Sequence, residues 1–338
     1  MENVLDYDYK ELQTKFEHER LEKYRANQVF DWIYKKKATS FAVMTNLSKK
    51  LREELSRKFS LNFPELVTKV KSKDGTVKFL WRYEDGSTVE SVLLRYPDRT
   101  SACISSQVGC ALGCKFCATG KSGFLRNLTS GEILAQILGM ERSEKERIGN
   151  VVFMGMGEPM LNYEEVMRAI RVMVDPKALK ISQRRITIST AGVVGGIEKL
   201  ANESLDIVLS VSLHAPTDEK RSMIMPINQK YPLNVLMNAV KDYQAIKSKR
   251  VTFEYILFDG FNDSVEDAKK LIELVKDVKC NINLIPYNDT QSEFKRTPPK
   301  KAKEFESFLK SHGLEAVIRA EKGADIDAAC GQLRRRML

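Results

Sequence analysis

Residues 103–119, Cys-Ile-Ser-Ser-Gln-Val-Gly-Cys-Ala-Leu-Gly-Cys-Lys-Phe-Cys-Ala-Thr, contain a C-x3-C-x2-C array formed by Cys110, Cys114 and Cys117. A four-iron cluster is usually held by four cysteine thiolates. An array of three would leave one iron open to a ligand that is not part of the protein. The array therefore predicts one [4Fe-4S] cluster bound by these three residues.

A zinc site, a disulfide framework and inert buried thiols are the alternatives for this array. Structural zinc takes four ligands, usually in paired C-x2-C units or with histidines at set spacing. The nearest histidine, His214, is far along the chain, and no second cysteine pair follows. Disulfides are uncommon in a long chain without a secretory signal. Gly109, Gly113 and Gly120 also favour the cluster, because bare backbone can pass close to a bulky inorganic core.

Composition places the chain among soluble globular proteins. Its 338 residues are 43% hydrophobic and 30% charged. A formal net charge of +10 favours a polyanionic partner. No apolar run is long enough to cross a membrane, and the N-terminus has neither the basic start nor the apolar stretch of a signal peptide. These features predict a cytoplasmic protein without a membrane partner.

Residues 1–65 are predicted to form a small helical domain. Apolar residues recur at helical spacing in two stretches, 24–34 and 47–59. The second stretch carries a basic face, and Lys35-Lys36-Lys37 lies between the two. Such a face is usually just solvated, but with the net positive charge of the chain it is also a candidate for contact with a polyanion. Its members are Lys49, Lys50, Arg52, Arg57 and Lys58.

Residues 66–95 change to a period of two, which is typical of strands. Asp74-Gly75 and Asp85-Gly86 predict tight turns between three strands, and these form a β extension before the main domain. Glu90 is a lone acid in the third, apolar strand. An outward-facing position on that strand is the ordinary explanation.

Residues 96–330 alternate apolar strands with amphipathic helices, which predicts an α/β fold with a covered parallel sheet. About six such units fit a partial or complete (β/α) barrel, whose chemistry lies on the loops after the strands. The predicted strands are Ser101–Ser106, Val151–Met154, Arg185–Ser189, Ile207–Leu213, Val251–Leu257, Cys280–Ile285 and Glu315–Arg319. The predicted helices are Ser130–Ser143, Tyr163–Val174, Val193–Ala201, Leu233–Lys247, Ser264–Val278 and Lys300–His312.

Several motifs follow directly on these strands. Gly155-Met156-Gly157-Glu158-Pro159 combines glycines with a carboxylate, which suits a grip on an ammonium group but also fits an ordinary turn. His214 ends another strand, although a lone histidine is more often structural.

Together these motifs resemble a known family. The cysteine array at the end of a strand is similar to the signature of the radical S-adenosylmethionine (SAM) enzymes. Residues 103–110, the Met-Gly-Met-Gly-Glu-Pro stretch at 154–159 and the Asp-Ile-Asp-Ala-Ala-Cys-Gly-Gln-Leu stretch at 325–333 resemble the RlmN/Cfr family of RNA adenine methyltransferases. The resemblance covers nearly the whole chain. It implies a partial radical SAM barrel with an RNA-gripping accessory domain, and SAM chelated to the open iron.

The resemblance also implies roles for particular residues. It makes Cys330 the carrier of a methyl group, Cys103 the second catalytic cysteine and Glu90 a proton acceptor. Without the resemblance, nothing in the sequence would distinguish Cys330 from an inert thiol such as Cys280. The SAM contacts it implies are Gly157, Glu158, Ser189, Ser212, Leu213, His214 and Asn288.

The implied chemistry explains the two thiols. Carbon 2 of adenine is electron-poor and cannot attack the SAM methyl, whereas a thiolate can. In the family, a second SAM yields a 5'-deoxyadenosyl radical that activates the methylated cysteine, so each turnover uses two SAM molecules. A protein–RNA crosslink forms, and a Cys103–Cys330 disulfide resolves it. Whether Cys103 or Glu90 takes the ring proton stays open.

The implied substrates are adenosines in 23S rRNA, as a protein-poor precursor, and in tRNA. Pro159, Ala111-Leu112 and the stretch 285–288 are similar to RlmN and favour carbon 2; Cfr-like methylation of carbon 8, which gives antibiotic resistance, is the alternative. A reducing donor such as flavodoxin and a monomeric state are also expected. The basic run Arg334–Arg336 either touches phosphate or is a solvated tail.

Two other classes of protein are alternatives, and each would lack a use for one feature of this sequence. A radical SAM enzyme for a small molecule or peptide would need no basic helical domain. An RNA-binding iron–sulfur protein without catalytic activity would have no use for Cys330.

Overall fold

The computed structural model describes residues 1–290 and 292–333. Arg334–Arg336, for which phosphate contact is one interpretation, lie outside the described residues. The strands are β1 (Glu2–Asn3), β2 (Phe59–Ser60), β3 (Glu65–Lys71), β4 (Val77–Arg82), β5 (Thr88–Arg95), β6 (Thr100–Cys103), β7 (Gln107–Gly109), β8 (Phe124–Asn127), β9 (Asn150–Phe153), β10 (Ile186–Thr190), β11 (Val208–Ser212), β12 (Val251–Leu257), β13 (Cys280–Pro286) and β14 (Ala316–Ile318). The helices are α1 (Tyr9–His18), α2 (Arg25–Phe30), α3 (Lys49–Lys58), α4 (Ala118–Lys121), α5 (Ser130–Glu144), α6 (Tyr163–Val174), α7 (Val194–Asn202), α8 (Asp218–Ile224), α9 (Ile227–Lys230), α10 (Leu233–Lys247), α11 (Val265–Val275) and α12 (Pro299–Ser311).

A ten-stranded sheet in the order β14-β13-β12-β11-β10-β9-β6-β5-β4-β3 forms the centre of the molecule. The strands from β14 to β6 run parallel, and those from β6 to β3 run antiparallel. In the described part of the chain, β14 does not pair with any strand at the other edge. The sheet is therefore open, which confirms the partial barrel and excludes the complete one.

The predicted strands and helices of the barrel are confirmed, and their ends differ from prediction by at most three residues. Their pattern was readable because both faces of the parallel strands are covered. On β12 one set of alternate residues, Val251, Phe253 and Tyr255, is fully buried against the helical layer. The other set faces the inside of the barrel and includes the polar Thr252 and Glu254. This inward set brings side chains to the candidate site.

The N-terminal domain packs on the barrel as part of one continuous hydrophobic core. β1 pairs with β2, which joins the two ends of the domain at residues 2–3 and 59–60. Helix α1 escaped the sequence analysis, although Asp8 and Glu11 form a capping box at its start. Asp6 then fixes the domain to α5, because its carboxylate accepts the Gly131 N–H at 2.9 Å. The division at residue 65 stays a prediction.

The predicted β extension is continuous with the main sheet, since β5 pairs with β6. Glu90 on β5 is only 1% exposed, so the expectation of an outward-facing position was wrong. Alternation of side chains does not reveal solvent when both faces of a strand are covered. Helix α5 packs on this region where its Gly139 meets the Trp81 ring of β4. The ring leaves no room for a side chain at 139. The C-terminal residues contact Lys78, the neighbour of Glu90 on β4.

Among the described residues, no helix is both long and apolar enough to span a membrane.

Candidate active site

The loop between β7 and α4 carries the three predicted cluster ligands. Cys110 follows β7 directly, and Cys114 and Cys117 lie in the turn before α4. The loop folds back on itself, because the Cys110 N–H donates to the Gly123 carbonyl at 2.9 Å. Gly109 has a φ of +79°, and a β-carbon there would lie 1.8 Å from the Gly123 carbonyl oxygen. The loop can close in this form only with glycine at 109.

The three thiols are free and line one cavity, here called the thiol cavity. Burial raises the pKa of Cys110 to about 12 and that of Cys114 well above its ordinary value. A metal cluster would supply the positive charge that keeps such thiolates ionised. Within residues 1–290 and 292–333, no group of carboxylates, thiols and imidazoles converges on a single metal ion. In a four-iron cluster each thiolate binds a different iron, so its ligands need not converge on a single ion.

Gly157 and Glu158 lie in the loop after β9 and line the thiol cavity. The Glu158 carboxylate is buried and accepts the Met160 N–H at 3.0 Å and the Ala191 N–H at 2.8 Å. Burial raises the pKa of Glu158 to about 7, although these hydrogen bonds oppose the rise. An ammonium group in the cavity would favour the charged form of this carboxylate.

His214 lies beyond the end of β11, in the left-handed region at a φ of +59°. Its Nδ1 accepts the Ile256 N–H at 3.1 Å, and its ring meets Phe116 of the cysteine loop edge-on at 4.9 Å. Burial, followed by the nearby Arg221 charge, lowers the pKa of His214 to about 3. The imidazole is thus neutral at pH 7, and because Nδ1 accepts, its proton is on Nε2.

A second cavity lies beside the first and is here called the two-cysteine cavity. Cys103, at the end of β6, and Cys330 both line it, together with Asn288 and Arg319. Cys330 and Arg319 also line the thiol cavity, so the two spaces meet at these side chains. Burial raises the pKa of Cys103 to about 12, the Cys330 thiol adds to this, and the Arg319 guanidinium opposes it. Cys330 thus connects the predicted cluster with the second cysteine.

The structure brings most of the predicted site residues together and sets a few apart. Asn288 lines the two-cysteine cavity, where its side-chain amide donates to the Cys330 carbonyl at 3.2 Å. The Leu213 side chain is fully buried in the hydrophobic core. Glu90 lies two residues along β5 from Val92, which pairs with Cys103. The predicted site residues that line the thiol cavity are Cys110, Cys114, Cys117, Gly157, Glu158, Ser189, Ser212, His214 and Cys330.

Sequence analysis missed three charged residues that support the site. Arg221 is fully buried and donates to the carbonyls of Ala191 at 2.7 Å and Ser212 at 3.1 Å, which ties the ends of β10 and β11 together. Glu254 on β12 and Arg319 after β14 both face the thiol cavity. Glu254 and Arg319 could have been found from the sequence, because each is a lone charge inside or at the end of an apolar strand. Arg221 lies in a polar helix and gave no such signal.

Comparisons with known proteins agree with this architecture. The model of the radical SAM superfamily matches residues 104–275, and the model of the ribosomal RNA large subunit methyltransferase N-terminal domain matches residues 2–61. A relative from Thermotoga petrophila, described as a probable dual-specificity RNA methyltransferase RlmN, is 54% identical over 99% of this chain and 98% of its own. A relative with the same description from Thermosipho melanesiensis is 51% identical over the full length of both chains.

A solved structure extends the similarity to three dimensions. The radical SAM methyltransferase from Sphaerobacter thermophilus is 42% identical and superposes with a TM-score of 0.95 over 99% of both chains. An open barrel whose first loop presents three thiols to a cavity at the strand ends is the arrangement of a radical SAM protein, which implies a [4Fe-4S] cluster and SAM. Within that class, the full-length identity is decisive: the chain belongs to the RlmN family of radical SAM RNA methyltransferases.

Proposed function

We propose that the protein methylates carbon 2 of adenosine in 23S rRNA and in tRNA. Relatives that match over the whole chain are described as dual-specificity RNA methyltransferases, which supports two RNA substrates. The observation that carries the proposal is the position of Cys330, which lines both the thiol cavity and the two-cysteine cavity. One side chain can therefore face the SAM site and the second cysteine without a large movement of the fold.

The chemistry follows from the electron-poor character of carbon 2. A bound cluster and two SAM molecules per turnover would supply a methyl group and a 5'-deoxyadenosyl radical at the thiol cavity. Cys330, as a thiolate, is the nucleophile that accepts the methyl group. Its methylthio carbon, once activated by loss of a hydrogen atom, bonds to carbon 2 and links protein to RNA. The adduct loses the ring proton to a base and one electron, which the bound cluster would take back.

Cys103 resolves that link. As a thiolate it attacks the Cys330 sulfur, and the sulfur–carbon bond breaks with its electron pair left on carbon. Protonation of that carbon completes the new methyl group, and Cys103 and Cys330 are left as a disulfide. Glu90 and Cys103 are the candidates for removal of the ring proton. Glu90 is buried on β5, two residues from Val92, which lines the two-cysteine cavity.

Binding of SAM is assigned to the lining of the thiol cavity. Glu158 and Gly157 would face the amino group, while Ser189, Ser212 and the neutral His214 offer polar atoms at the ends of the next two strands, β10 and β11. We further propose a monomer that receives electrons from a flavodoxin-like donor in the cytoplasm.

RNA contact is assigned to the N-terminal domain, with a narrower set of basic residues than the sequence indicated. Lys58 pairs with Glu19 and Glu54. Arg52 donates to the Ala42 carbonyl. Lys35 pairs with Asp31. Lys49, Lys50 and Arg57 are exposed and have no ion-pair partner among the described carboxylates, so they are available to phosphate.

Replacement of Cys330 tests the covalent step. We expect Cys330→Ala to abolish methylation of RNA while iron content and the visible spectrum of the reconstituted cluster are kept, because Cys330 is not one of the three predicted ligands. Cys280→Ala is the matched control, since Cys280 lies buried at the start of β13 and lines neither cavity among the described residues. Normal turnover by Cys330→Ala would refute the covalent intermediate.

A further inference from the structure

The stretch that carries Cys330 is held by the β3–β4 hairpin. This stretch, residues 323–331, is here called the Cys330 segment. The Asp74 carboxylate accepts the Gly323 N–H at 3.0 Å. The Asp325 carboxylate accepts the Ser72 hydroxyl at 2.5 Å and the Lys73 N–H at 3.2 Å. These contacts lie at the exposed tip of the hairpin.

One contact of the same hairpin is buried. Lys78 on β4 is 5% exposed, and its ammonium donates to the Asp327 carbonyl of the Cys330 segment at 3.0 Å. The same ammonium lies 3.5 Å from a carboxylate oxygen of Glu90 on β5. A single side chain therefore touches both the proposed proton acceptor and the segment that carries the methyl group.

Glu90 is itself tied to the SAM side of the site. Its backbone carbonyl accepts the Ser105 hydroxyl at 2.6 Å, and that hydroxyl oxygen accepts the Met156 N–H at 2.8 Å. Met156 is part of the loop that continues to Gly157. The position of Glu90 is thus fixed by the barrel, whereas the Cys330 segment follows β14 and crosses to the hairpin.

A buried lysine is expensive unless it is paired, because removal of a charge from water costs several kcal/mol. An apolar side chain at 78 would pack between β3 and β5 without that cost. The ammonium does what an apolar group cannot, since it attracts a carboxylate and a carbonyl at the same time. The Glu90 carboxylate helps to offset the cost of burying the ammonium, so the position from which Lys78 holds Asp327 depends on the charge of Glu90.

We propose that Lys78 is a positioning residue that couples the charge of Glu90 to the docking of the Cys330 segment. The inference rests on the proposed function, in which Glu90 is a candidate to take the proton from carbon 2. In that step the carbon–hydrogen bond breaks, its electron pair stays with the ring, and the proton bonds to a Glu90 oxygen. The neutral carboxyl no longer offsets the burial of the ammonium, so Lys78 withdraws toward solvent and releases the Asp327 carbonyl. The Cys330 segment then loosens as Cys330 moves to bond with Cys103.

Hydrogen exchange of the reconstituted full-length protein, read by mass spectrometry, tests the coupling. The segment contains protected amides, since Gly323, Ile326 and Ala328 donate hydrogen bonds. We expect Lys78→Met and Glu90→Gln each to raise exchange in residues 323–331 at least tenfold. Their combination should raise it no further than Lys78→Met alone, because both changes break one linkage. Exchange in α10 should stay unchanged, which separates the effect from global destabilisation.

Lys71→Met is the matched control, because Lys71 is exposed on β3 of the same hairpin. It should leave the segment unchanged. If Lys78→Met does not fold, exchange in the Glu90→Gln variant alone tests the coupling. Unchanged exchange in Glu90→Gln would overturn the proposal. The measurement needs no RNA and no turnover, so a failure of the proposed methylation chemistry would appear separately, in the Cys330→Ala assay.

Discussion

Cys103 shows how its surroundings determine the properties of a single residue. It ends β6 inside the two-cysteine cavity, where burial and the Cys330 thiol raise its pKa to about 12 and Arg319 opposes them. The thiol form therefore dominates at pH 7, and the thiolate must be generated at the moment of use. Transfer of its proton to a nearby base can supply that change.

Alkylation of Cys103 should report this raised pKa. Only the thiolate reacts, and an ordinary thiol with a pKa of about 8.5 approaches its full rate near pH 9. For Cys103 we expect the rate to rise about tenfold per pH unit from pH 7 through pH 10, followed by mass spectrometry of its peptide. Arg319→Met should slow it further, because a cation that favours the thiolate is removed.

Glutathione in the same tube is the control for reagent chemistry. A rate for Cys103 that levels off near pH 9 would contradict the assignment.

Some residues of the site could be predicted from the sequence and others could not. The spacing of the cysteine array predicted that Cys110, Cys114 and Cys117 share one site, and the family resemblance singled out Cys330, which lines the same cavity. Lys78 and Arg221 could not, since each is a basic residue among many and its partners are remote in sequence, as with Lys78 and Asp327. Glu90 was recognised, but its burial was not, because side-chain alternation does not reveal solvent when both faces of a strand are covered.

At the scale of elements, the loop from β7 to β8 decides whether the ligands converge. Its closure places the Gly123 carbonyl where a β-carbon of residue 109 would lie. The barrel strands and helices could be predicted from apolar periodicity, which is strong when both faces of a sheet are covered. β7, β8 and α4 could not, because these short elements lack periodicity and are held by this loop closure.

Two glycine replacements separate backbone strain from closure of this loop. Gly109 and Gly123 both have positive φ, so alanine costs about 1–2 kcal/mol of conformational energy at either site. Only at 109 does the new β-carbon also collide with backbone, whereas at 123 it meets nothing within 4 Å. We expect Gly109→Ala to lose most of its reconstituted iron and Gly123→Ala to keep most of it, as measured by iron and sulfide content. Equal retention of iron in both variants would argue against this closure.

At the scale of the whole molecule, the structure shows which basic side chains of the N-terminal domain are exposed. The net charge of +10 indicated a polyanionic partner but not a surface. In the structure, Arg52 and Lys58 of α3 are engaged within the protein. Lys49, Lys50 and Arg57 present their charge to solvent, on a domain that shares one core with the barrel. A rigid attachment would hold RNA at a fixed distance from the site.

Removal of these three charges should weaken RNA binding through its electrostatic part. For the triple alanine variant of Lys49, Lys50 and Arg57 we expect the slope of log affinity against log salt to fall by about 2–3, as for the loss of three phosphate contacts. The triple alanine variant of Lys241, Lys276 and Lys310 changes net charge equally, on or beside α10, α11 and α12. An equal loss in both variants would mean that net charge alone drives binding.

The account depends most directly on the methyl group carried by Cys330. The measurement is peptide mass spectrometry of the full-length protein purified from cells, with nucleoside analysis of RNA from the same cells. The account predicts one methyl group on Cys330, none on Cys103 or Cys280, and 2-methyladenosine in 23S rRNA and tRNA. Unmethylated Cys330 in protein that still forms 2-methyladenosine would contradict it.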